Sequence, residues 1–107
     1  RVNVASHEVA FVVADHRSVT VHYQGEKVCA VLDIAHLRRV TLVLQQDDLI
    51  WQLDAPDFTV LLVPFGVPGE SGLRRELQDL PGFDTHLLFS YLDHRTEQVP
   101  PLVLWQA

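Results

Sequence analysis

The sequence predicts an α+β fold: an antiparallel meander of six to seven strands forming a partly open barrel, one or two C-terminal helices and a short closing strand. Three observations predict it. Before residue 65, apolar residues alternate or run in short blocks cut by turn sequences. After residue 69 the period lengthens to that of a helix, with Leu73, Leu77 and Leu80 at i, i+4 and i+7. The 107 residues, 48% of them apolar, suffice for one core without staples, and no linker, repeat or low-complexity tract divides residues 1–107.

The first strands are "EVAFVVA", "SVTVHYQ" and "KVCAVL". The second alternates cleanly, with Val19, Val21 and Tyr23 on one face and Thr20, His22 and Gln24 on the other. Its neighbours are apolar on both faces, which predicts strands covered on both sides or lying at a barrel closure. "DHR" and "QGEK" supply the turns, with Gly25 available for a positive φ. In "VTLVLQ" the alternation assigns Val40, Leu42 and Leu44 to one face. In "LIWQLD" it assigns Leu49, Trp51 and Leu53 to one face, and after the turn "DAPD" the strand "FTVLLVP" follows. Trp51 and Trp105, both in apolar strands, read as core or half-buried anchors.

"ESGLRRELQDL" is the first helix, with Ser71 the expected residue capping its N-terminus. Pro81 stops it and Gly82 lets the chain turn. Asp84 then caps a second helix, "THLLFSYLD", where Phe83 and Leu88 occupy the positions of a hydrophobic staple. The interruption "PGFD" between two leucine-rich helices is therefore a corner. "PPLVLW" closes the chain as a seventh strand.

Composition excludes several function classes. The net charge is −6, and residues 46–107 hold three Lys/Arg against ten Asp/Glu, while residues 1–45 hold five against four. Such a surface repels nucleic acid and anionic membranes and suits a basic protein partner. No segment approaches the roughly 18 apolar residues of a membrane span. The single cysteine, Cys29, sits in the apolar run "VCAVL" and is expected as a buried reduced thiol, which fits a cytoplasmic location.

Catalytic signatures are missing. The six histidines, at 7, 16, 22, 36, 86 and 94, lack the grouping of a metal site, so no metal or other cofactor is expected. Ser6, Ser18, Ser71 and Ser90 stand in strand-edge, cap or helix contexts. "GVPGESG" lacks the lysine and spacing of a phosphate loop, and Glu70 would oppose an anion there. The carboxylates are more informative. Alternate turns of a meander fall at one end of its sheet, which groups Asp15, Asp33, Asp54 and Asp57 and places Glu26, Asp47, Asp48 and Glu70 at the other end. The first group reads either as a surface for a basic partner or divalent cation, or as ordinary solvated turn residues.

Leu37-Arg38-Arg39-Val40 leading into "TLVL", then "DDLIWQL", "GLRRELQDLPGFD" and a terminal "LVLW" resemble a family of small uncharacterised bacterial proteins, over roughly residues 28–105. The resemblance implies a sheet of six or seven strands, a helix ending in Leu-Pro-Gly-Phe-Asp and a closing strand ending in tryptophan. It carries over no catalytic residue. The order of a strand meander followed by a helix is also similar to pleckstrin-homology-like barrels, from which the added strand "PPLVLW" departs. Two functions are expected from these readings. The first is a non-enzymatic protein-binding module, in one form an immunity-type inhibitor of a basic toxin. The alternative is a small-ligand or lipid-binding barrel, which requires an apolar cavity between sheet and helices.

Overall fold

The computed structural model describes residues 9–25, 29–57 and 59–107. Ser6, His7, Glu8, Glu26, Lys27, Val28 and Phe58, which figure in the sequence reading, lie outside the described residues. Among the described residues the fold is α+β, with seven antiparallel strands in two sheets and two helices, and the sheets do not close into a barrel. The order along the chain is β1 (Val9–Ala14), β2 (Ser18–Tyr23), β3 (Cys29–Asp33), a 3-10 turn (Ile34–His36), β4 (Arg39–Gln45), β5 (Asp48–Asp54), β6 (Val60–Pro64), α1 (Glu70–Gln78), α2 (Thr85–Leu92) and β7 (Leu102–Gln106).

The meander divides after β3. The first sheet has the order β1-β2-β3 and the second β6-β5-β4-β7. At the break, Leu37 N–H donates to the Ile34 carbonyl at 3.0 Å, and Arg38 N–H donates to the Asp54 carbonyl at 2.8 Å, which delivers the chain into the second sheet. The division has a packing reason. Bending the chain there lets the inner faces of both sheets bury against one core, as layered folds require. Val12, Val19, Val21 and Leu32 from the first sheet meet Val40, Leu42, Trp51, Leu53 and Val63 from the second. Leu73 and Leu77 of α1, Leu88 of α2 and Leu104 of β7 complete the cluster.

The β4–β5 hairpin turns through Gln46 and Asp47, both at positive φ (50° and 69°), with Gln45 opposite Asp48. Two left-handed residues make the turn whose twist matches the strands. Leu44, assigned by alternation to the face of Val40 and Leu42, is exposed, although its cross-strand partner Leu49 packs against the core.

The first sheet is covered on one face only, contrary to the two-sided cover its sequence suggested. Val12 is 2% exposed while Val13 is 54% exposed, and Leu32 is 5% exposed beside Val31 at 60%. Cys29 shares the outward side of β3 with Val31 and Asp33, so its thiol is exposed and the expected buried thiol is not found. A period-two strand places alternate residues on opposite faces, and Cys29 has the odd phase.

Helix α1 starts one residue before the expected Ser71 cap and is not capped by a side chain. Its cap residue is Gly69, at φ 90°. Pro68 lends its carbonyl to Val12 N–H at 2.9 Å, and a Cβ on Gly69 would run into the Val12 carbonyl. Glycine is required there for its backbone angle and for space. Helix α2 starts as its sequence predicts, with Asp84 Oδ1 accepting from Leu87 N–H at 2.9 Å. Leu88 is fully buried, and Phe83 is half-buried with its ring tilted against Trp51 at 6.4 Å. No helix is long and apolar enough to cross a membrane among the described residues.

Candidate functional site

The sequence-predicted aspartates fall into two pairs. Asp15 closes the β1–β2 turn, where its Oδ1 accepts from Arg17 N–H at 2.7 Å and Ser18 N–H at 2.8 Å. The Arg17 amide, then that of Ser18, lowers its pKa below the usual carboxylate value. Asp33 ends β3 opposite Ser18, with Oδ2 3.8 Å from His36 Nδ1 in an exposed contact. The turn thus brings Asp15 and Asp33 to one end of the first sheet.

Asp54 and Asp57 belong to the β5–β6 turn of the second sheet. Asp54 is the cross-strand partner of Arg39, and its carbonyl accepts from Arg38 N–H. Both aspartates line an open cleft of about 630 Å³ together with Arg38 and Arg39. Two positively charged residues in the same lining dilute the acidic character of this cleft.

The first pair gains company that the sequence reading missed. Asp15 lines a shallow concavity of about 210 Å³ with His16, Ile34, Glu76, Asp79 and Leu80. An adjoining hollow holds His16, Arg17 and Asp33. Glu76 and Asp79 stand on the last turn and the C-terminal cap of α1. Packing of Leu73 and Leu77 against the shared core lays this helix over β1 and brings its C-terminal end to the β1–β2 turn. Carboxylates at a helix C-terminus oppose its dipole, and here they line one concavity with a third carboxylate, Asp15. The local signal was present in "RELQDL", where Glu76 and Asp79 are three apart and therefore neighbours on the helix surface. Their meeting with Asp15 depends on tertiary packing.

A different carboxylate is used internally. Glu70, grouped by the sequence with the carboxylates at the other end of the meander, is 3% exposed. Its Oε2 accepts from Trp51 Nε1 at 2.9 Å and Arg74 Nε at 3.0 Å; its Oε1 accepts from Arg74 Nη2 at 2.7 Å and Gly66 N–H at 3.2 Å. The Arg74 guanidinium lies 4.6 Å over the Phe65 ring, which stacks on Trp51 at 5.1 Å. Burial alone would push the Glu70 pKa up; hydrogen bonds from Arg74, Trp51 and Gly66 outweigh it and hold the carboxyl below its ordinary range. This network ties α1 to the second sheet. Trp51 is thus a core residue, while Trp105 is half-buried and donates from Nε1 to the Pro81 carbonyl at 2.8 Å.

Other chemistry is sparse. Ser90 Oγ lies 3.4 Å from His86 Nε2 across one exposed turn of α2, at the outer limit of a hydrogen bond. Among the described residues, no three His, Cys, Asp or Glu gather in a way that could hold a metal ion. No family model, curated protein or solved structure matches this chain.

Proposed function

We propose that this chain is a non-enzymatic protein-binding module that receives a basic protein partner on the surface formed by Asp15, Asp33, Glu76 and Asp79. The observation that carries the reading is the placement of Glu76 and Asp79 at the dipole's negative end beside Asp15. Each such carboxylate costs stability, on the order of 0.3–1 kcal/mol near a helix C-terminus. Residues kept where they weaken the fold suit a task outside it. Asp54 and Asp57, which line a separate cleft on the second sheet, are the secondary part of the surface.

In its most concrete form the module is a bacterial cytoplasmic immunity-type protein, and the partner a basic toxin. Acidic surfaces of this kind mainly speed association and discriminate between partners. The alternative, a lipid or small-ligand barrel, needs space that Trp51, Leu73, Leu77 and Leu88 occupy, all of them fully buried.

The test is association kinetics with the basic protein recovered by affinity capture from the host. The association rate should fall as salt rises, because screening acts over about 8–10 Å at ordinary ionic strength. It should fall further in the double variant Glu76→Gln, Asp79→Asn. A rate indifferent to salt and to the double variant would remove the acidic surface from the account, and recovery of a lipid would favour the cavity.

A further inference from the structure

We propose that the open edge of the first sheet is a self-association surface, on which β3 pairs antiparallel with β3 of a second copy about a two-fold axis at Val31. Among the described residues, the three-stranded order makes β1 and β3 the edges. The β1 edge is disturbed and partly covered: its register shifts between Val9 and Phe11, and Val12 N–H donates to Pro68. The β7 edge of the other sheet is also engaged, with the Leu104 carbonyl accepting from Asp84 N–H at 2.7 Å. Strand β3 pairs with β2 without any shift, and its residues Cys29–Asp33 include no lysine, proline or bulge. Such devices are how folded proteins block unwanted strand addition.

The hydrogen-bond phase favours a second copy as the occupant. Ile34 N–H donates to the Arg17 carbonyl at 2.8 Å, one step beyond the Ser18–Asp33 pair. Antiparallel ladders alternate bonded and non-bonded pairs, so Leu32 and Ala30 bond to β2, while Cys29, Val31 and Asp33 turn their backbone groups to the open edge. Antiparallel pairing centred on Val31 sets Val31 against Val31 and Cys29 against Asp33. Every outward group then has a reciprocal partner, as an isologous interface requires. The strand's one charge, Asp33, meets a neutral residue, so no like charges oppose each other directly. On the outer face the row Val13–Thr20–Val31 continues into its symmetry mate, joining two half-exposed apolar patches.

A five-residue strand edge falls short of the about 800 Å² per partner of a standard interface, so the dimer is weak, in the range of about 10 µM to 1 mM. Two chains of net charge −6 also repel, so salt strengthens the dimer, opposite to its effect on a basic partner.

Amide exchange and sedimentation of the intact chain test this. Between about 20 µM and about 2 mM protein, protection of the Val31 amide should rise by roughly two- to eightfold over that range of affinities, following dimer occupancy. Leu32 and Ala30 should already be protected in dilute solution, and the sedimenting mass should move toward twice the monomer. Val31→Pro removes the outward N–H at an edge position where proline is tolerated, and it should hold the protein monomeric. Val31→Lys, which places a charge on the axis, should do the same and carries the test if the proline variant does not fold. A monomeric mass at the highest concentration, concentration-independent protection at Val31, or a dimer undiminished in Val31→Lys would each overturn the proposal.

Discussion

The two ends of α1 carry the same side-chain chemistry for opposite purposes. At the N-terminal end, Glu70 is buried and receives hydrogen bonds from Trp51, Arg74 and Gly66. At the C-terminal end, Glu76 and Asp79 face a concavity beside Asp15. Dipole arguments favour a carboxylate at the first end and disfavour one at the second. The difference teaches where to look for function in a fold without a catalytic signature: Glu70 is consumed by the structure, whereas the side chains of the C-terminal pair make no hydrogen bond or ion pair among the described residues.

Three substitutions at the N-terminal end of α1 and its buried partner Trp51 would break the comparison if they were tolerated. The largest loss is expected for Trp51→Ala, about 4–5 kcal/mol in denaturant melts, because it removes a fully buried ring and a donor to a buried carboxylate. Gly69→Ala follows at about 3 kcal/mol, from left-handed strain and from collision with the Val12 carbonyl. A melt unchanged by that substitution would show that the α1 start is not pinned against β1.

Glu70→Gln should cost about 2 kcal/mol at neutral pH, because it leaves the Arg74 guanidinium without its ionic partner. It should also alter acid sensitivity. The folded-state pKa of Glu70 is lowered, so its contribution is complete above the unfolded value near 4.5 and is lost as pH falls through the folded value. Stability measured against pH should therefore fall less steeply below about pH 4.5 in Glu70→Gln than in the parent chain. Parallel acid curves would mean that Glu70 is not the ionised centre of the network.

Much of the fold was legible in the sequence because it depends on local period. Val19 and Val21, Leu73 and Leu77, and the Asp84 cap follow from spacing and cap chemistry alone. The features that escaped it depend on coverage and long-range approach. "AFVVA" and "LIWQL" are comparably apolar, yet Val13 is exposed while Ile50 and Trp51, on opposite faces of β5, are both buried. Nothing in the pentapeptide "CAVLD" distinguishes a covered strand from an open edge, so the Cys29 thiol was misplaced. The burial of Glu70 was not legible because its donors come from residue 51, residue 66 and the next helical turn. The acidic surface was half visible: Asp15 and Asp33 follow from turn position, while Glu76 and Asp79 join them only when α1 packs on β1.

The most direct measurement pairs stability with association in one variant, Glu76→Gln with Asp79→Asn. Relief of dipole opposition should leave the fold unchanged or more stable by up to about 0.5–1 kcal/mol. The same variant should associate more slowly with the basic partner at low salt, and the difference should shrink as salt is added. Opposite signs in the two readouts are the result this account predicts. A variant that is less stable yet binds as fast as the parent would contradict it, because the two carboxylates would then belong to the fold.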